Sequence, residues 1–309
     1  MQIVRPAPER FDEALALLRA ADTAVWGDSD WTADELREEW DGLDLDHDAW
    51  LVDLDGELAG VMHLVDSRGG RFIGDGYVHP SLTGRGVGAR VVQLLEDRAR
   101  ELEPSWPAHG PVTVECAHLV GDGRAPALFT SRGYARARSF FRMVVDVTDP
   151  GPAPVWPEGV ELRPLDVDRD GERVHQANEE TFVSEWGHQP RPYDEWRVRT
   201  FDWSRFDASL VPVAWEGDEV AGFALAYAKR MGDWGWIGSL GVRPQWRGRG
   251  LGLALLRESF ERFRQAGETT VALGVDVENP TGATRLYERA GMRVLYQADV
   301  WRKELRPDA

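Results

Sequence analysis

Cysteine is almost missing from this chain. Cys116 is the only one in 309 residues, so no internal disulfide and no thiolate metal cluster can be built. It sits in the apolar run VTVECAHL (112–119), the place of a small buried residue rather than of a nucleophile. Lysine is nearly as scarce: Lys229 and Lys303 are the only two, and neither follows a glycine loop as a P-loop requires. Long apolar runs are absent too, with nothing near the ~18 uninterrupted residues of a membrane span. The first twenty residues, MQIVRPAPERFDEALALLRA, carry acids and prolines where a secretory leader needs an apolar block. Positive charge is in deficit, with 36 Lys and Arg against 53 Asp and Glu and a net charge of −17. That balance excludes non-specific nucleic-acid binding, which depends on neutralising phosphates, and an anionic membrane surface. A cytoplasmic protein is expected, with neither nucleic acid nor membrane as partner and with no metal.

What is present is one unit written twice. Residues 148–159, TDPGPAPVWPEG, form a Pro/Gly-dense stretch without pattern and read as a linker between residues 1–147 and 160–309. Across it, IVRP (3–6) is echoed by ELRP (161–164), and DGELAG (55–60) by GDEVAG (217–222). YVHPSLTGRGVG (77–88) is echoed by GVRPQWRGRGLG (241–252), and FTSRGY (129–134) by YERAGM (287–292). Four matches in one order indicate a duplication. In the second copy helices are expected near 170–183 and 191–199, and a hairpin over 209–228 turning at Glu216-Gly217-Asp218. Strand 234–242 then leads through the glycine loop into an amphipathic helix at 250–266, whose Leu256, Phe260 and Phe263 share a face. Strand 269–277, helix 281–290 and strand 293–304 complete the unit. In the first copy Val91, Leu95, Ala99 and Leu102 mark the matching helix face. The alternation points to an α/β or α+β fold.

The glycine loop carries the chemistry. Gly248, Gly250 and Gly252 stand between a strand end and a helix start, where backbone amides can form a concave donor surface. The unpaired amides of the helix N-terminus and its dipole complete an anion site suited to phosphate. Arg243, Arg247 and Arg249 concentrate positive charge there in an acidic chain. The third Rossmann glycine is missing, because its place falls on Leu255, so a dinucleotide site is excluded.

RGRGLG resembles the acyl-CoA pyrophosphate loop of GNAT-type N-acetyltransferases, Arg/Gln-x-x-Gly-x-Gly/Ala, with Arg247, Gly250 and Gly252 in the motif places. ENPTGATRLYERAGM (278–292) resembles the family's second hallmark, in family order and at family spacing. The resemblance implies two tandem GNAT-like domains, each a mixed, mostly antiparallel sheet splayed at a CoA-binding strand and flanked by helices. It implies acetyl transfer from acetyl-CoA to a primary amine of a small molecule by direct attack in a ternary complex. Backbone around Leu240, Gly241 and Val242 would hold the thioester carbonyl, and the loop from Arg247 through Gly248, Arg249, Gly250, Leu251, Gly252 and Leu253 would hold the pyrophosphate. Tyr287 would protonate the leaving thiolate, and Asn279 would steady the pantetheine or a water. Glu185, His188, Asp194 and Glu195 lie in the segment that covers the acceptor in this family, and no spacing singles one out.

The first copy keeps Gly84, Arg85, Gly86, Val87 and Gly88 as a second candidate CoA site, but Thr83 replaces the motif Arg/Gln and Phe129 stands where Tyr287 does. It is expected to be eroded and non-catalytic. Two alternatives stay open. One is acetylation of a cysteinyl amino-sugar in the manner of mycothiol synthase, whose pattern has a glutamate on the strand before the loop, at about the place of Trp236. The other is a catalytically silent CoA-binding or sensing protein.

Overall fold

The computed structural model describes residues 1–202, 206–230, 234–279 and 281–306. The first half of the chain gives β1 (Gln2–Val4), α1 (Phe11–Trp26), α2 (Ala33–Asp41), β2 (Ala49–Leu54), β3 (Glu57–Asp66) and β4 (Arg71–Val78). It continues with α3 (Val87–Glu101), β5 (Val112–Leu119), α4 (Ala125–Ser131) and β6 (Ala135–Asp146). The second half repeats the order: β7 (Glu161–Arg163), α5 (Val167–Phe182), α6 (Tyr193–Thr200), β8 (Val213–Glu216), β9 (Glu219–Arg230) and β10 (Trp234–Val242). It ends with α7 (Leu251–Gln265), β11 (Thr270–Asp276), α8 (Ala283–Arg289) and β12 (Arg293–Arg306). The periodicities place these elements to within a few residues. No described helix is long and apolar enough to cross a membrane.

The helix that follows the second glycine loop forms because its apolar residues recur on one side. Ala254, Leu255, Leu256 and Phe263 of α7 are buried, and Phe263 packs with Val271 and Leu273 of β11. In the first half, Val91, Leu95 and Ala99 of α3 pack on Phe72 and Val114 in the same way. Helix α2 starts with a reciprocal cap. The Thr32 hydroxyl accepts from the Glu35 amide at 3.2 Å, and the Glu35 carboxylate accepts from the Thr32 amide at 2.9 Å.

The chain folds into two compact units that do not coincide with its two halves. The first unit holds residues 1–140 and the segment from Tyr296 onward, and the second holds residues 141–295. Within the first unit the strand order is β1-β2-β3-β4-β5-β12. There β12 pairs antiparallel with β5, from Ala298↔Leu119 to Arg306↔Val112. Within the second the order is β6-β11-β10-β9-β8-β7. Met143 and Val147 belong to its core, and the Val147 amide donates to the Thr269 carbonyl at 2.9 Å. Each unit is thus finished by the last strand of the other half, a pairing that hydrophobic alternation does not encode. Residues 151–157, within the expected linker, form neither helix nor strand.

An ion cluster holds the terminal strand in place. Glu115 of β5 is 2% exposed and accepts from the Arg302 guanidinium on β12 at 2.8 Å and from the Arg71 guanidinium on β4, also at 2.8 Å. Removing one partner leaves a buried charge short of compensation. Arg302→Ala is therefore expected to weaken the β5–β12 pairing by about 1–3 kcal/mol. Hydrogen exchange at the amides of residues 112–119 reads this directly, and unchanged protection would contradict it.

Candidate active site

The site begins where two strands part. β10 pairs antiparallel with β9 from Trp234↔Arg230 to Val242↔Gly222. Its parallel pairing with β11 runs only from Gly235↔Val271 to Ile237↔Leu273. At that point the register against β9 also slips, from Ile237↔Ala226 to Ser239↔Leu225, which is a bulge at Gly238. Residues 238–242 therefore present an unladdered edge towards the gap. A cavity of about 910 Å³ fills it, with Gly238, Ser239, Leu240 and Val242 on one wall and Val275 and Asp276 on the other.

The glycine loop closes one end of this cavity. Gly248 and Gly250 have φ of 75° and 86°, the left-handed region where a Cβ is penalised. α7 starts at Leu251 with no side-chain cap, so its first amides keep free donors, and Leu251, Gly252 and Leu253 line the cavity. A Cβ on Gly252 would lie 3.1 Å from Leu286 Cδ2, so glycine lets α8 approach this turn. This concave, uncapped set of amides fits the pyrophosphate of an acyl-CoA. Arg247 lines the cavity with its Nε donating to the Val242 carbonyl at 3.0 Å. Arg249 and Gly241 are not among the lining residues. The Arg249 guanidinium is committed to Glu216 at 3.0 Å and the Glu158 carbonyl at 2.9 Å, and Gly241 is buried against the Phe223 ring. Arg243 is likewise held by Glu180 at 2.7 Å.

Tyr287, in the last turn of α8, lines the same cavity and is 8% exposed. Burial pushes its hydroxyl pKa well above the ordinary value, and the negative charge of Glu185 adds to the shift. The phenol is therefore protonated across the physiological range, as a proton donor must be. Asn279 is held in one orientation: its Oδ1 accepts from the Thr281 amide at 2.8 Å and its Nδ2 donates to Glu185 Oε1 at 3.0 Å. Pro280 of the Glu-Asn-Pro motif lies outside the described residues. Of the four acceptor-segment candidates, Glu185 and His188 line the cavity and Asp194 and Glu195 do not. His188 Nε2 is bonded to Glu179 Oε2 at 3.0 Å, and His175 Nε2 to the Arg191 carbonyl at 2.9 Å. An aromatic wall of Trp186, Trp196, Tyr227 and Trp236 also lines the cavity, and of these the sequence singles out Trp236 alone. The chain has 14 tryptophans, and composition alone does not separate core from cavity lining.

The sequence profile of the Acetyltransferase (GNAT) family matches residues 11–104 and 171–292. The chain belongs to this family. The reaction of GNAT enzymes is acetyl transfer with acetyl-CoA as co-substrate, and the chain is an acetyl-CoA-dependent N-acetyltransferase. Among its relatives is the mycothiol acetyltransferase of Geodermatophilus obscurus, 32% identical over 96% of each chain. That of Thermobispora bispora is 33% identical over 76% of each. A GCN5-related N-acetyltransferase from Sphaerobacter thermophilus has a solved structure with TM-score 0.91 and 35% identity, covering 100% of this chain and 96% of that one. A tandem GNAT protein from the clavulanic acid biosynthesis pathway shares the fold, with TM-score 0.74 at 17% identity and coverage of 100% and 99%.

The GNAT repeat in the first half keeps the loop geometry and has Phe129 at the place of Tyr287. Gly84 and Gly86 have φ of 76° and 87°, within a degree of their counterparts, and α3 also starts without a side-chain cap. A Cβ on Gly88 would meet Leu128 Cδ2 at 3.2 Å, as Gly252 meets Leu286. Arg85 pairs with Asp55 as Arg249 pairs with Glu216. The parallel pairing of β4 with β5 stops at Gly74↔Cys116, and a cavity of about 520 Å³ follows, lined by Gly84, Gly86 and Gly88. Phe129 is buried there against the Trp301 ring at 5.7 Å and offers no hydroxyl. The Cys116 thiol, pushed up to about 12 by burial, is no nucleophile at neutral pH.

Asp22 on this cavity wall is 5% exposed, and its carboxyl is pushed up to about 7 by burial and by the charge of Asp30. The folded state thus holds this proton more tightly than the unfolded chain. Its stabilising effect is full below about pH 4 and is lost as pH rises to about 7. Asp22→Asn is expected to stabilise the protein by about 2–4 kcal/mol at pH 8 and by almost nothing at pH 4. Thermal melts at the two pH values check this, and equal shifts would contradict it.

Proposed function

We propose that the cavity of the second unit is where a small primary amine attacks acetyl-CoA directly, in a ternary complex, with residues 160–295 supplying the chemistry. The observation that carries this reading is the meeting, in one cleft, of an uncapped glycine-rich helix start, the open edge of β10 and a buried, protonated Tyr287. Amides of residues 248–253 would take the pyrophosphate, with Arg247 alongside. Amides along Leu240 to Val242 would stabilise the oxyanion where it develops, in a setting from which bulk water is partly excluded. Tyr287 would give its proton to the departing sulfur. Asn279 would act through the side chain it orients.

A cysteinyl amino-sugar acceptor is the second reading. It is supported by relatives named mycothiol acetyltransferases, one of which aligns along 96% of the chain. Trp236, where that enzyme's pattern has a glutamate, separates this chain from it. The first half, residues 1–147 ahead of a linker at 148–159, would hold CoA through Gly84, Arg85, Gly86, Val87 and Gly88 without turning it over. A small amine in the cytoplasm suits an acidic chain with one buried cysteine.

Tyr287→Phe is expected to lower kcat for CoA release about 100-fold while the affinity for acetyl-CoA, titrated directly, stays within about twofold. An unchanged kcat would remove Tyr287 from the chemistry. Gly250→Glu is expected to abolish turnover by placing a side chain and a negative charge in the cradle, whereas Gly86→Glu is expected to leave most of it. Equal losses in two folded variants would contradict this division of labour.

A further inference from the structure

An amine reaches an enzyme as an ammonium ion, whose lone pair is unavailable until a base takes a proton. Strand β10, whose open edge and Trp236 line the cavity, carries no carboxylate at all. Two carboxylates line the cavity, Glu185 and Asp276. Asp276 is tied into the turn after β11, with its Oδ1 accepting from the Glu278 amide at 2.8 Å. Glu185 is different. Its Oε1 accepts from Asn279 Nδ2 at 3.0 Å, and its Oε2 has no hydrogen-bond partner among the described residues.

We propose that Glu185 is the proton acceptor for the incoming ammonium, and that Asn279 is the positioning residue that aims it. The inference rests on the reading of this cavity as an N-acetyltransferase site. Three arrangements carry it. Asn279 cannot rotate without breaking its bonds from the Thr281 amide and hydroxyl, so its NH2 group is fixed on Glu185 and leaves one carboxylate oxygen available. Trp186, Trp196 and Trp236 line the same cavity and lower its polarity, and the Trp236 ring already carries the Arg142 guanidinium 4.4 Å from its centroid. Glu185 also keeps contact with solvent, so a proton it takes has a way out.

The charged groups around Glu185 are Asp276, His188 with its partner Glu179, and Arg247, with Tyr287 close enough to feel its charge. Desolvation raises its carboxyl above the ordinary range and Asp276 adds to this, while the bond from Asn279 and the charges of His188 and Arg247 oppose it. A carboxylate of raised basicity is better matched to an amine than an ordinary one.

The protons balance as follows. Glu185 takes one N–H proton from the ammonium, and the freed nitrogen bonds the acyl carbon. As the carbon–sulfur bond breaks, Tyr287 gives its phenolic proton to sulfur. The acylated nitrogen, still carrying one proton too many, returns it to the Tyr287 oxygen, and Glu185 releases its proton to solvent.

The test uses the full chain with acetyl-CoA and four amines: phenethylamine, spermidine, glucosamine and a cysteinyl amino-sugar. With the amine that is turned over, Glu185→Gln is expected to lower kcat about 100- to 10,000-fold, and Glu185→Asp to recover part of it. In the parent, kcat falls as pH drops through the Glu185 carboxyl, and the Gln variant lacks that acid limb. Acetyl-CoA affinity, titrated by calorimetry, stays unchanged in both variants. A Gln variant within about threefold of the parent and with the same acid limb would overturn the assignment. If the parent binds acetyl-CoA but releases no thiol with any of the four amines, the functional reading fails first and takes this inference with it.

Discussion

Neighbouring parallel strands gain most by hydrogen bonding along their whole shared length, yet β10 and β11 stay paired only from Gly235 to Ile237. The cavity of the second unit depends on that early parting. With the bulge at Gly238, the backbone from Gly238 to Val242 is left unladdered on the β11 side, and the gap becomes a cavity that reaches the start of α7. The unpaired backbone groups left by the parting are costly in a closed core and tolerable where a ligand can pair with them. The same break recurs in the first unit, where β4 leaves β5 after Gly74. The two units therefore share the scaffold of this cavity, and Phe129 stands in the first where Tyr287 stands in the second.

The loop shows how sequence composition and charge can mislead about partners. Three arginines near three glycines suggest a positively charged cradle, yet Arg243 and Arg249 are neutralised by Glu180 and Glu216. What the loop itself turns to the cavity is backbone with Arg247 beside it, and α8 adds Arg285 and Arg289 to the lining. The pairing of Arg249 with the β8–β9 turn, repeated by Arg85 with Asp55, clamps each loop to a neighbouring hairpin. Arg243 and Arg249 fix the shape of the loop more than its charge.

Much of this was legible in the sequence because it is local. Glycine at 248 and 250 reports a left-handed backbone, the spacing of Leu256, Phe260 and Phe263 reports a helix face, and repeated phrases report duplication. Tyr287 and Asn279 were named from the motif they sit in, and both line the cavity. The exchange of last strands between units was not legible, since β6 and β12 carry patterns that would satisfy either sheet. Nor could spacing choose Glu185 over His188, Asp194 and Glu195. That choice depends on Asn279, which is 94 residues away in sequence and 3.0 Å away in space.

A crystal structure of the full chain with acetyl-CoA tests the central claim most directly. The account predicts pyrophosphate oxygens on the amides of residues 248–253, the thioester carbonyl on the β10 edge between Gly238 and Val242, and the sulfur within hydrogen-bond reach of the Tyr287 hydroxyl. Acetyl-CoA seated elsewhere in the second unit, or with its sulfur out of reach of Tyr287, would contradict it.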